Sequence, residues 1–359
     1  MSLARELIQR NFSGRVIVLE KRAAYRNDRS WSFWAAPDDR NAELAAASWK
    51  HWRYALASGP SSRHAVADKR YFYVPSDRFY DHVLGLIRSS QNVELVTSAT
   101  IEEIERDDDV TRIQCQDRTF RARHAVDTRP PPRERVEDSI LFQCFSGRIL
   151  KLPQGSIEDP STVELMTEMR SDRRGFIFDY VLPLADDRAL VEATRFSDRP
   201  QSRDDMDRDL DEMIQRRSLE PLAIEHSEYA VLPMGLPDPV VDPDDAVVLA
   251  GTAAGALRPA TGYAFLRIQR WARACAEQVV GGQAPESHPR DAKLQRWMDA
   301  LFLRVMRKNP DRVPELFMRM AEHAGQETLV RFLSDRATVR DRLSVIRSLP
   351  TGLFLRHLI

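Results

Sequence analysis

Residues 15–20, Arg15-Val-Ile-Val-Leu-Glu20, decide the reading of the fold. A continuous aliphatic run closed by an acid is the pattern of a strand buried on both faces in a parallel sheet. Upstream, Leu3, Leu7 and Ile8 share one face of an amphipathic helix over residues 2–10, which Ser13-Gly14 stops. Helix, tight turn, buried strand and terminal acid form the second half of a βαβ dinucleotide unit. In such a unit the acid holds a ribose hydroxyl about 20 residues after a Gly-x-Gly-x-x-Gly loop. Counting back from Glu20 reaches Met1 or earlier, and the first glycine is Gly14. The unit's first strand and glycine loop are therefore expected upstream of this sequence. The competing reading makes Glu20 a surface acid after an ordinary strand.

A second segment of the same kind lies more than 200 residues on. Ala246-Val-Val-Leu-Ala250 reads as another buried parallel strand, followed by Gly251-Thr-Ala-Ala-Gly255 and by Arg258-Pro-Ala-Thr-Gly-Tyr263. A helix is expected from about Thr261 to Val280. Small residues after a buried strand let the backbone approach a pyrophosphate, and a helix N-terminus offers free N–H groups and a positive dipole end. Together the two segments resemble a flavoprotein with a discontinuous FAD domain.

Composition narrows the class. The chain has 359 residues, 43% apolar and 30% charged, which suits two interleaved globular domains. The 53 Lys and Arg nearly balance 54 Asp and Glu, so no basic footprint for nucleic acid is expected. Cys115, Cys144 and Cys275 have no metal-type spacing and fit a reducing cytoplasm. The eight histidines show no ligand spacing, so no metal is expected, and serine-hydrolase and Walker motifs are missing. No apolar run approaches the ~18 residues of a membrane span.

Between the two nucleotide-type segments, 31–57 is aromatic-rich and Arg70–Pro75 reads as a strand before a helix from Ser76 to about Ser90. Strands are expected over 93–97, 100–106, 111–116, 118–123 and 124–127. Longer ones are expected over 140–151, 163–170, 175–184 and 188–196, then a helix over 201–218 and a strand over 227–234.

Four stretches carry a more specific resemblance. They are Asp28-Arg-Ser-Trp-Ser-Phe-Trp34, Phe142-Gln-Cys-Phe-Ser-Gly147, Phe176-Ile-Phe-Asp-Tyr-Val-Leu-Pro-Leu-Ala185 with Leu190-Val-Glu-Ala-Thr194, and the 251–265 segment. Asp127-Thr-Arg-Pro130 and Glu228-Tyr-Ala-Val-Leu-Pro-Met234 support them. In this order the chain resembles the lycopene cyclase family, the carotenoid end-ring cyclases.

The resemblance implies an α/β fold. A Rossmann-like FAD-binding domain of the flavin-hydroxylase type, without its first strand and glycine loop, is joined to an interleaved β-sheet substrate domain and a helical C-terminus. The expected boundaries are 1–57, 77–139 and 240–285 for the FAD domain, 58–76 and 140–239 for the substrate domain, and 286–359 for the helices. It also implies proton-initiated, non-redox cyclisation of the linear ψ ends of lycopene or a related carotenoid to β rings. FAD, thought to be reduced and with NAD(P)H as an indirect reductant, would stabilise the cation. An acid protonates the terminal alkene, the neighbouring double bond closes the ring, and proton loss sets the new alkene.

An acid for that step must be neutral and dry, so burial has to raise its pKa. Glu192 falls on the first acid of the family's paired-acid motif, but the next residue is Ala193 where the family usually has a second acid. Thr167 likewise stands where the family often has Asp. Asp179 and Glu228 are further candidate acids, each with a structural ion pair as its competing reading. The candidate cofactor residues are Glu20, Arg22, Asp127, Gly251, Ala254, Gly255, Thr261 and Gly262. Trp31, Phe33, Trp34, Tyr71, Tyr73 and Tyr263 would face the substrate and shield a cation, or simply pack a core. Phe317, Met318, Met320, Leu329, Phe332 and Leu333 are expected on helices that pack ordinarily or lie on the inner face of the cell membrane. The alternatives are an FAD-dependent oxidoreductase or monooxygenase of the same fold, and a non-catalytic polyene- or lipid-binding relative.

Overall fold

The computed structural model describes residues 1–56, 61–65, 69–107, 110–239 and 247–357. Ala246, the expected domain limits at 57, 58 and 240, and the Trp52 and Tyr54 side chains lie outside the described residues. From the N-terminus, α1 (Ser2–Gln9) and β1 (Val16–Leu19) lead to β2 (Ser30–Ala35), β3 (Ala47–Trp49), β4 (His51–Leu56), β5 (Ser61–Ala65) and β6 (Arg70–Pro75). Next come α2 (Ser76–Ser89), β7 (Val93–Val96), β8 (Ile101–Asp107), β9 (Val110–Cys115), β10 (Thr119–Ala122), β11 (Ala125–Asp127) and α3 (Arg133–Glu137). Four long strands follow: β12 (Leu141–Lys151), β13 (Thr162–Asp172), β14 (Gly175–Ala185) and β15 (Arg188–Ser197). After α4 (Arg203–Arg216), β16 (Ala223–Met234), β17 (Val247–Leu249) and α5 (Phe265–Val280), the described chain closes with five helices. These are α6 (Lys293–Lys308), α7 (Val313–His323), α8 (Gln326–Leu333), α9 (Val339–Ser348) and α10 (Thr351–Leu355).

The aliphatic run at 16–19 forms a parallel strand: β1 pairs with β7, from Val16 opposite Val93 to Leu19 opposite Val96. β11 pairs in parallel with β17. Among the described residues no strand hydrogen-bonds both pairs. The Glu20 amide donates to the Val96 carbonyl and the Ala250 amide to that of Asp127. Glu20, Asp127 and the turn at Gly251 thus all lie at carboxyl ends of parallel strands, where open α/β sheets bind ligands. α1 packs on α5, where buried Arg5 donates to Gln269 and Gln269 to Ser2.

α5 begins at Phe265, four residues later than the sequence reading places it. The reason is local. Residues 251–254 form one 3₁₀ turn ended by Gly255 at φ +83°, and Gly262 adopts φ +70°. The 258–263 segment folds back on itself, with the Gly262 amide on the Arg258 carbonyl and the Arg258 amide on that of Tyr263. Left-handed residues of this kind interrupt a right-handed helix.

The seven-stranded sheet runs β16-β12-β15-β14-β13-β4-β5. β4 joins it beside β13, whereas β6 pairs with β2 and β3 in a separate three-stranded sheet. The sheets therefore cut across the expected limits at 57/58 and 76/77. β16 starts four residues before the expected strand, because 223–226 lies on a sheet edge and its apolar Ile224 is exposed. Side chains alternate between faces along each strand. One face carries Phe176, Phe178, Leu182, Leu190 and Phe196 into a core shared with α6, α7, α8 and α9. The other carries Val181, Val191 and Ala193 under Leu210, Met213 and Ile214 of α4.

Candidate active site

The strongest feature of the sheet is a buried carboxyl pair. On β12, which lies between β16 and β15, Gly147 has Glu192 of β15 opposite on one side and Glu228 of β16 opposite on the other. Directly paired residues share a face, so both acids lean over the glycine. A Cβ at Gly147 would sit 3.4 Å from Glu228 Cγ and 3.5 Å from Glu192 Cγ, which puts those two carbons within about 7 Å of each other. Any larger residue at 147 would stand between them.

Burial and then the neighbouring Glu228 push the Glu192 carboxyl up to about 8, against one hydrogen bond from the Thr194 hydroxyl at 2.5 Å. Glu192 nonetheless keeps some accessible surface. Its neighbours therefore do not pack it solid. Glu228 is 4% exposed, and burial raises it too, opposed by Ser30, whose hydroxyl donates to it at 3.0 Å. Two close carboxyls in a dry setting keep at least one proton at neutral pH.

Asp179 is not part of this pair. It lies opposite Thr167 and Ala193, on the face covered by α4. Fully buried, it accepts from Arg170 at 3.2 Å, Arg216 at 2.8 Å and Arg217 at 3.3 Å. Ala193 shares that face among α4 side chains. Strand alternation thus turns the family's second acid position away from Glu192, and the second acid beside Glu192 comes from β16.

Tyr180 is the cross-strand neighbour of Glu192 on β14 and also lines a large cleft. The cleft holds about 1380 Å³ of space, part of it open at the mouth, between this sheet face, the 260–263 segment and helices α6 to α10. Its walls include Phe178, Phe196, Leu301, Phe302, Phe317 and Met320. Asp299 is the single carboxylate on the wall, tied to Arg258 at 3.4 Å and Gln295 at 2.9 Å. Phe317, Met320, Leu329, Phe332 and Leu333 all line the cleft and Met318 is buried, so these residues form no outer face. Packing on the sheet consumes the apolar stripes of α7 and α8.

The pleat divides the candidate aromatic residues. Trp34, Tyr71 and Tyr73 belong to the core beside the acid-bearing face. Tyr71 hydrogen-bonds Tyr263, which lines the cleft. Trp31 and Phe33 point the other way and stack on Phe265 at 4.9 and 5.3 Å.

At the nucleotide end, Gly251 and Gly255 have positive φ and nothing within 4 Å of an added Cβ, so their backbone is open to a ligand. Ala254 is buried beneath the turn and Thr261 lines the cleft. A Cβ at Gly262 would meet Gln143 Oε1 at 2.6 Å, and that buried oxygen has no hydrogen-bond partner. An open glycine turn beside an orphaned acceptor fits a flat heterocycle bearing an N–H, such as the pyrimidine edge of a flavin. Glu20 is engaged instead: the Arg22 amide and guanidinium donate to it at 2.9–3.1 Å. Burial raises its carboxyl, but those bonds outweigh it and the net shift is downward. A ribose reaches Glu20 only as Arg22 gives way. Arg129 covers Asp127 in the same fashion.

Sequence reasoning missed Gly147, Tyr180 and Gln143 as site residues, though all three lie in the stretches that carry the resemblance. Their register on the sheet, which no local pattern encodes, is what aligns them. Among the described residues no cluster of His, Cys, Asp or Glu suits a metal ion.

Paired parallel strands of nucleotide-binding type, joined to a large antiparallel sheet whose inner face meets a cleft, define an α/β protein of the flavin-hydroxylase type. Solved structures share this fold. The p-nitrophenol 4-monooxygenase PnpA from Pseudomonas putida DLL-E4 matches at TM-score 0.60 and 16% identity, covering 98% of this chain and 95% of that one. A geranylgeranyl bacteriochlorophyll reductase-like protein from Thermoplasma acidophilum matches at TM-score 0.57 and 14% identity, over 99% and 92% of the two chains. CtdE, solved in complex with FAD and a substrate, matches at TM-score 0.55 and 11% identity, over 99% and 96%. The chain belongs to the lycopene cyclase family: the family described as "Lycopene cyclase protein" matches residues 1–358. A lycopene beta-cyclase from Pseudescherichia vulneris is 26% identical over 223 residues, which span 58% of this chain and 56% of that protein.

Proposed function

We propose that the protein is a carotenoid end-ring cyclase that closes the ψ ends of lycopene or a related linear carotenoid to β rings without net redox change. It is an intramolecular lyase or isomerase. One observation carries the reading: a dehydrated carboxyl pair borders, through Tyr180, a cleft with almost wholly apolar walls. An apolar polyene suits such walls, and a protonated Glu192 suits transfer of a proton to an alkene. Desolvation keeps the acid neutral until it acts and then makes its anion a strong base. Glu228 shares the site's proton and accepts or relays the one lost on ring closure. Asp179 anchors the sheet to α4. Tyr71, Tyr73, Tyr263 and Trp34 exclude water and present aromatic surface to the cation, each face worth about 0.5–2 kcal/mol.

FAD fits the 251–262 turn. Gly251, Gly255 and Gly262 would admit it, Gln143 and Thr261 would meet its ring, and Glu20, Arg22 and Asp127 would lie toward its ribose and phosphates. Bound in reduced form, it would supply an electron-rich ring that stabilises positive charge. The test is co-expression in lycopene-accumulating cells with product analysis. Cyclised product made by the parent and not by Glu192→Gln supports the reading; lycopene left untouched by the parent overturns it. A nicotinamide requirement with oxygen consumption would favour the oxidoreductase of the same fold.

A further inference from the structure

Each turnover of the acid pair leaves Glu192 as a buried anion and moves the departing proton to Glu228, so the pair has to trade protons with water. The cleft is a poor route for that trade, because its walls are almost wholly apolar and the polyene fills it. Polar groups lead from Glu228 in another direction, toward the sheet edge formed by β16. The Ser30 hydroxyl reaches both Glu228 oxygens, at 3.0 and 3.3 Å. Tyr73 is 2% exposed and faces Ser30, with Glu228, Arg188 and Asp77 all close enough to act on its hydroxyl.

His226 completes this file of groups. It precedes Glu228 by two residues on β16, opposite Ile149 as Glu228 is opposite Gly147. The two side chains therefore share a face, about 7 Å apart at Cα. Glu228 is buried, His226 is half-buried, and Ser227 between them turns out to solvent. The imidazole Nε2 is buried and has no hydrogen-bond partner among the described residues. Burial holds the ring below its ordinary 6.5, opposed by exposed Asp77 in the first turn of α2. It is therefore neutral at pH 7, with one nitrogen to accept a proton and the other to donate one. The other charges at this edge, Arg188 and Glu225, pair with each other. Around Glu228 the remaining charged groups are Glu192, Asp28 and Arg29, the last two paired.

We propose that His226, with Ser30 and Tyr73, is the proton port of the acid pair: it passes protons between Glu228 and water at the sheet edge while the cleft is full. The proposal rests on the reading that the pair protonates an alkene. Glu192 gives its proton to that alkene, whose π electrons form the new C–H bond. The neighbouring double bond closes the ring, a C–H bond beside the resulting cation breaks to form the new alkene, and Glu228 takes the proton released. Glu228 passes it to one nitrogen of His226 as the other nitrogen gives a proton to water. A proton from water returns along the same groups to refill Glu192, so nothing is consumed. Ser30 and His226 act through Glu228, as positioning and relay residues.

Transfer of the full FAD-loaded chain into D2O tests it, first without carotenoid and with squalane, a saturated isoprenoid, in the cleft. The infrared band of the Glu192 carboxyl, assigned by its loss in Glu192→Gln, moves to lower frequency as O–H becomes O–D. His226→Ala should slow that exchange at least about tenfold, and added imidazole should restore it while the melting temperature stays unchanged. His226→Gln keeps a polar side chain that cannot relay, and should exchange as slowly. With lycopene, the parent should place a deuterium in each ring it closes, whereas His226→Ala should hand substrate protium on to the next ring. Exchange at the parental rate in both variants overturns the proposal. So does a loss in His226→Ala that imidazole fails to restore. Exchange that depends on His226 and imidazole in a protein that leaves lycopene unchanged upholds the port and sinks the cyclase reading, which keeps the two failures apart.

Discussion

Glu192 and Glu228 come from strands that do not touch each other, yet they meet over Gly147, the single residue of β12 paired with both. The chemistry of the site follows from that bridge. A carboxyl raised to about 8 by burial and by its neighbour is protonated through the neutral range. Cyclisation by the parent should therefore hold up to about pH 7 and fall on an alkaline limb near 8. Glu192→Gln should reduce it by at least about 10²-fold. Product formed per folded molecule at each pH is the measurement, and full conversion by the variant would remove Glu192 from the role.

The same ionisation bears on stability. The folded-state value of Glu192 lies above its ordinary 4.5, so the native state holds a proton that the unfolded chain has released. The contribution is full below about 4.5, declines as pH rises, and is lost once pH passes about 8. In urea melts Glu192→Gln should flatten that decline and exceed the parent at pH 9, by on the order of 3 kcal/mol. Parallel pH profiles for the two proteins would contradict the burial argument.

Gly147 offers a graded test of proximity. Alanine there makes ordinary van der Waals contact with both glutamates, so Gly147→Ala should fold and retain much of the activity. Gly147→Val suits a strand but sets its methyl groups between the carboxyls. Its melting temperature should change little while turnover drops and the alkaline limb moves toward lower pH, because each acid then loses the other's repulsion.

Gly262→Ala combines φ +70° with a 2.6 Å approach to Gln143 Oε1. The strain should cost about 1–3 kcal/mol and displace the Gln143 amide. Flavin titration followed by fluorescence quenching should show weaker FAD binding. Gln143→Ala in the same background should recover stability without recovering affinity.

Removing Asp179 tests a structural role. Asp179→Asn leaves Arg170, Arg216 and Arg217 without their shared anion, which should cost about 3 kcal/mol in a urea melt. The identity of the carotenoid product should not change.

Local pattern carried much of this architecture. The 16–19 and 247–249 strands, the long antiparallel strands and the amphipathic helices announce themselves through apolar period and turn residues. What a linear reading cannot supply is register. Asp179 and Glu192 look alike in sequence, each a lone acid in an apolar strand, but cross-strand pairing sends one beneath α4 and the other toward the cleft. Trp31 and Trp34 are divided by the pleat in the same way. The helix start at Phe265 was hidden because only backbone geometry reveals that Gly262 is left-handed. Sequence alone left the C-terminal helices between packing and an outer face, because apolar stripes on α7 and α8 say only that they bury something, not what.

The arginine cluster behind the sheet has one more consequence. Three guanidinium groups converge on the sheet face opposite Glu192, the acid proposed to work uncharged. Left bare, their field would draw the proton off Glu192. Asp179, with Glu164 on Arg217, offsets part of that charge at its source, so the sheet works as an electrical partition: a strongly charged joint holds it together on one side, and the face that carries Glu192 lies on the other.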